Sequence, residues 1–250
     1  MAPSECITES DPAWQIGALR CALKVSKRRR SIGFKVQNGH ITLQVPYGIS
    51  KDVLCEIVLD RLDWLSAKQA AQLALPKAPI RKLEAGEHWP LFGQSLVLAL
   101  VEARQHRITV TGAQLLMEIT PRQGSKQCQL RLLENWYKAQ ALDFAKRRVA
   151  YWQQVMAGDL SGCATSIQVR RFRSCWGSCS QRGELKFNWL LAMAPEYVFD
   201  YVVVHEMCHL QHMHHGREFW RMLSNYCPDY HAAKQWLKSN AYSLVLKLSA

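Results

Sequence analysis

The chain is 250 residues long, with 48% hydrophobic and 21% charged residues, an ordinary globular balance that excludes wholesale disorder. Its net charge of +12 is uneven, with 17 Lys and Arg against 9 Asp and Glu after residue 120. No apolar run approaches the ~18 residues that a membrane helix requires, and the acidic start, with Glu5, Glu9 and Asp11, does not read as a signal peptide.

Residues 1–16 are expected to be disordered. Leu19 to Val25 and Ser31 to Val45 alternate apolar and polar residues, and Asn38-Gly39 is a tight-turn signal, so the first ordered segment is a predicted hairpin. Ser50 is placed to cap a helix with apolar residues at Val53, Leu54, Ile57, Val58, Leu62 and Leu65, broken by Pro76 and Pro79. Two more strand pairs are expected around Leu96 to Glu102 and Ile108 to Ile119, punctuated by Thr111-Gly112. No internal repeat is legible.

After Pro121 the pattern becomes helical. Leu130, Leu133, Tyr137, Ala141, Ala145, Val149, Trp152 and Met156 step by three or four, and Gly158 and Gly162 end the helix. Ser166 to Arg173 and Glu184 to Met193 are predicted strands, with Trp176-Gly177-Ser178 as a loop between them. Pro195 suits the first turn of a helix running to about Met213. Gly216 then breaks the chain, and two helices split at Pro228 follow. The expected architecture is α+β: a strand-rich part over 17–125, then a mainly helical part with one β-hairpin over 126–250.

The last of these regions carries the chemistry. In His205-Glu206-Met207-Cys208-His209 the histidines are four apart, which on a helix puts both imidazoles on one face where they can share a metal. Glu206 can then reach a water on that metal without being a ligand, and a zinc ion lowers the pKa of its water toward ~7. Val198, Val202, Val203, Val204, Met207 and Leu210 mark the helix as buried on several sides, where unpartnered imidazoles and a carboxylate are costly. Catalytic zinc takes three protein ligands, and His212, His214, His215 and Glu218 are the supply. His215 is favoured over His214 because Gly216 beside it frees the backbone to turn and return.

Other residues compete for attention. Cys175 and Cys179 have the spacing of half a thiolate site, but no second pair completes it. Cys208 faces away from the two histidines. Nine cysteines without a repeating spacing read as free thiols, with the cytoplasm as the expected location. The edge of the Glu184 to Met193 strand is a candidate for pairing with an extended peptide, against the plainer reading of a core strand. Tyr230 and His231 are candidates to stabilise an oxyanion. Arg170, Arg171 and Arg173, and the basic surface generally, point to acidic or nucleic-acid-associated partners or are simply solvated.

Trp176-Gly177-Ser178-Cys179-Ser180, Phe187-Asn188-Trp189, Ala194-Pro195 and Tyr201-Val202-Val203-Val204-His205-Glu206 together resemble the YgjP-like family of zinc metallopeptidases. His215, Phe219-Trp220, Cys227-Pro228-Asp229-Tyr230 and Trp236-Leu237 continue the match, as do Arg28-Arg29-Arg30 and Phe92-Gly93 upstream. The resemblance implies a zincin-type domain with one zinc per chain on His205, His209 and His215, Glu206 as base, and a protein or peptide substrate. More distantly the chain is similar to SprT and WLM peptidases, some of which cleave proteins attached to DNA. It departs from the family at His214, usually Asn, at Gly216, usually Ser, and at Cys175, often basic or polar. The alternative is a metal-containing binding module or pseudo-protease, which has no need of Glu206; a zinc hydrolase of non-peptide amides uses the same site.

Overall fold

The computed structural model describes residues 14–16, 19–37, 39–74, 76, 78–121 and 124–246. The expected disorder of 1–13 and the Asn38 half of the first turn lie outside them. Contacts divide the chain between Pro76 and Lys77, not at the expected 125/126 boundary.

The first unit begins with β1 (Trp14–Ile16), β2 (Leu19–Ser26), β3 (Gly33–Gln37) and β4 (His40–Pro46). Trp14–Ile16 pairs with β2, so the expectation of disorder over 1–16 is corrected at its end. The tight turn joins β3 to β4, with Gly39 at φ 74°, and β2 lies parallel to β4, giving the order β1-β2-β4-β3. Alternation decides which face is covered: Leu19, Cys21, Leu23, Ile41, Leu43 and Val45 all point to one side. There they pack on Leu54, Val58 and Leu65 of helices α1 (Lys51–Asp60) and α2 (Leu62–Leu73). Ser50 occupies the N-cap of α1, but its side chain makes no capping hydrogen bond.

The second unit opens with β5 (His88–Leu91), β6 (Gln94–Glu102), β7 (Arg107–Thr111) and β8 (Gln114–Ile119) in the order β5-β6-β8-β7. Two antiparallel hairpins flank a parallel central pair, as in the first sheet. This repeat of topology was invisible in the sequence, because strand pairing needs alternation and turns rather than shared residues.

The second sheet packs with the helical part because of its first turn. Phe92 and Gly93 both have positive φ, 48° and 88°, which reverses the chain tightly and costs strain at Phe92. Packing holds it there. The Phe92 ring stacks on Phe144 at 4.7 Å, its N–H donates to the Ala192 carbonyl at 2.8 Å, and Phe144 in turn meets Phe199 at 4.9 Å. Phe144 belongs to α3 (Lys126–Val155), whose buried stripe runs through Leu133, Tyr137, Ala141, Ala145 and Val149.

A small sheet follows: β9 (Ser166–Arg170), β10 (Gly177–Cys179) and β11 (Glu184–Asn188), in the order β10-β11-β9. The strand expected to reach Met193 stops at Asn188, whose side chain accepts from Leu190 N–H and starts a buried 3-10 turn, Trp189–Met193. Because β11 pairs on both sides it has no free edge, and the edge strands of this sheet are β10 and β9. Helices α4 (Glu196–Cys208), α5 (Arg217–Tyr226) and α6 (Tyr230–Asn240) complete the α+β fold. Asp200 braces α4 against α3, accepting two 2.6 Å bonds from Arg148 and one of 2.8 Å from Trp152 Nε1.

Candidate metal centre

Helix α4 ends at Cys208 rather than Met213, with His209 as its C-cap. That early stop sets the site. His205 and His209 share one face of the last turn, while the chain from Leu210 to Gly216 loops back and delivers His215. Gly216 is extended, with φ −77° and ψ −176°, so glycine's conformational freedom is not what returns the chain. Nε2 of His215 lies 3.0 Å from Nε2 of His205, and donor nitrogens of His205, His209 and His215 all fall within 4.8 Å of one another. Among the described residues this is the set of three or more converging metal donors. The Phe219 ring of α5 packs against all three imidazoles, with centroids 4.6–5.0 Å away.

Buried imidazoles stay neutral, as metal ligands must. Burial first, then the neighbouring His209, His215 and Lys234, pushes His205 down to about 3, and burial lowers His209 as well. His209 Nδ1 sits 2.9 Å from the His212 carbonyl, which leaves its other ring nitrogen free for a metal. His212 thus serves through its backbone, not its ring. The Nε2 atoms of His205 and His215, 3.0 Å apart, need a cation or a shared proton between them, so the donor set fits a metal ion.

Glu206 is 5% exposed, and burial raises it to about 8. Gly177 of β10 makes its position possible: a methyl group there would stand 2.5 Å from Glu206 Oε1 and 2.7 Å from Cγ. The sequence placed Gly177 in a loop and gave it no role. The site opens into a cavity of about 680 Å³ between β10 and α6. Lys234, Lys238 and Leu237 of α6 form one wall, and Cys175, Trp176 and Cys179 another.

Tyr201 was also missed. It lies one turn before His205 on the same face of α4, lines the cavity, and meets the His205 ring edge-on at 5.8 Å. The i, i+4 spacing was the available signal. Tyr230 and His231 do not line the cavity: Tyr230 stacks between Trp220 at 5.6 Å and Tyr201 at 6.5 Å. Cys208 is buried in the core with its thiol pushed up to about 12. Cys175 and Cys179 lie near Glu206, and among the described residues no third or fourth ligand joins them. Arg170 stacks over Phe172 at 4.3 Å.

Three histidines on a helix and its return loop, with a buried carboxyl beside them, form a group that could hold a metal ion. The family model described as "YgjP-like, metallopeptidase domain" matches residues 30–240, and the chain belongs to that family. No curated protein sequence matches it. Among solved structures it is similar to the metallopeptidase zymogen of Pyrococcus abyssi abylysin, at 14% identity and a TM-score of 0.34, over 40% of this chain and 99% of that one.

Proposed function

We propose that the chain hydrolyses peptide bonds, holding one zinc ion on His205, His209 and His215 and using Glu206 as general base. The observation that carries this reading is a buried carboxyl beside three converging imidazoles on the wall of an open cavity. Zinc on such a donor set supplies a Lewis acid that lowers the pKa of a water toward ~7 and polarises a carbonyl. Glu206 accepts the proton of the attacking water and returns it to the departing amine. Trp176 and Tyr201 line the cavity, and the Tyr201 hydroxyl, held protonated by burial, can donate to a developing oxyanion. The edge of β10 along the cavity gives an extended peptide backbone partners to pair with.

A binding module has no use for a carboxyl buried at this cost. The eight described cysteines are free thiols, which supports a reducing compartment such as the cytoplasm. Incubating the zinc-loaded protein with a mixed peptide library, and reading products by mass spectrometry, tests the proposal. Cleavage abolished by chelation and restored by zinc is expected; an untouched library alongside hydrolysis of small non-peptide amides would sink it.

A further inference from the structure

In the first unit, α1 and α2 cover one face of the sheet and leave the other open. Outward strand positions on that face include Arg20, Lys24 and Lys35, all exposed. Lys24 is level with Gln44 and Gly33, and Lys35 with Thr42, so these cations sit on neighbouring rows roughly 10 Å apart across two strands. Arg29 adds a fourth. Its Nη1 donates to Gln44 Oε1 at 2.8 Å and its Nε to the Ser31 carbonyl at 2.8 Å, which pins the guanidinium over Gly33. A methyl group at Gly33 would collide with it. From Gln15 to Ser50 the sequence has seven Lys and Arg and no Asp or Glu. The unit's described carboxylates, Asp52, Glu56, Asp60 and Asp63, are all on the helices.

The topology does not demand this charge. The second sheet has the same strand order, yet its corresponding outward rows carry Val97, Ala99, Val101 and Leu116, and their one Lys or Arg, Arg107, is paired with Glu118 at 2.6 Å. Two of its cations, Arg20 and Lys24, precede the matched family span, which begins at residue 30.

We infer that the open face of the β1-β2-β4-β3 sheet binds the phosphodiester backbone of a nucleic-acid duplex. Cations at this spacing neutralise phosphates, while Gln15, Gln37, Thr42 and Gln44 between them supply neutral hydrogen bonds to phosphate and sugar oxygens. The outward strand positions hold no Phe, Tyr or Trp, so the face lacks a platform for stacking unpaired bases. Apart from Ala22 and Pro46 they hold no apolar side chain, so it also lacks the large buried anchor of an acidic-protein interface.

The test is fluorescence anisotropy of the full, zinc-loaded chain with a labelled 20-base-pair DNA duplex, an RNA duplex of the same sequence, and poly-glutamate, between 50 and 200 mM salt. Four phosphate contacts give a slope of log affinity on log salt near −3.6, or roughly a 100-fold loss across that range. The triple variant R20Q/K24Q/K35Q should reduce the slope by about 3 and leave roughly a fourfold loss. A control, R104Q/R131Q/K146Q, removes equal charge from the second unit and should change the slope little. Should the triple variant unfold on circular dichroism, each single variant is expected to lower the slope by about 1. Steep binding to either duplex that depends on these residues supports the inference. It is overturned by no duplex binding at 50 mM salt, by equal effects of the two triple variants, or by poly-glutamate binding as tightly as the duplexes.

Discussion

Replacing Glu206 by Gln separates catalysis from metal binding and from folding. Gln matches Glu in size, so the three imidazoles and the packing against Gly177 stay as they are. It cannot take a proton, and general-base assistance is worth ~10²–10⁴ in rate. Peptide cleavage should fall by that factor at unchanged zinc content. The same substitution changes stability in a direction that burial dictates. In the metal-free protein the folded carboxyl titrates at about 8 rather than 4.5, so between those values the folded state holds a proton that the unfolded state has lost. Its stabilising proton is fully present below pH ~4.5 and is lost as pH rises through about 8. The chelated wild type should therefore lose about 1.4 kcal/mol per pH unit from this group across the window, on the order of 5 kcal/mol in all, and Glu206→Gln none of it. Urea unfolding of both proteins with chelator at pH 5, 6, 7 and 8 measures the difference. If the curves stay parallel, the carboxyl is not buried as described; if the variant cleaves peptides at the wild-type rate, Glu206 is not the base.

The remaining predictions concern its neighbours. Gly177→Ala should displace the Glu206 carboxyl, cutting activity and costing about 1–3 kcal/mol by overpacking while zinc is retained; activity and metal lost together would place Gly177 in the ligand scaffold instead. By elemental analysis the purified chain should hold one zinc, His215→Ala should lose it, and His212→Ala and His214→Ala should keep it, because only the backbone carbonyl of His212 serves the site. Asp200→Ala, which strands the Arg148 guanidinium and Trp152 Nε1, should lower stability by about 1–3 kcal/mol in chemical denaturation, and an unchanged midpoint would remove it as the brace of α4.

Local rules carried much of this protein into view from its sequence. The spacing of His205 and His209, with Glu206 between them, follows from helical periodicity alone, and so does the stripe from Leu133 to Val149 that seats α3. Alternation gave the strands and their inward faces, and the turn at Gly39 sets the register of β3 on β4. What periodicity cannot encode is which distant surfaces meet. Phe92 on a hairpin turn, Phe144 on α3 and Phe199 on α4 lie far apart in sequence. Their stacking ties the second sheet to the helix that carries His205 and His209 and moves the boundary to residue 76. Gly177 gained its role only when β10 came against α4, and Tyr201 only when the cavity formed around its face of the helix. Spacing along a chain sets the direction of a side chain within its own element; its neighbours are set by close packing between elements, which the folded structure alone decides.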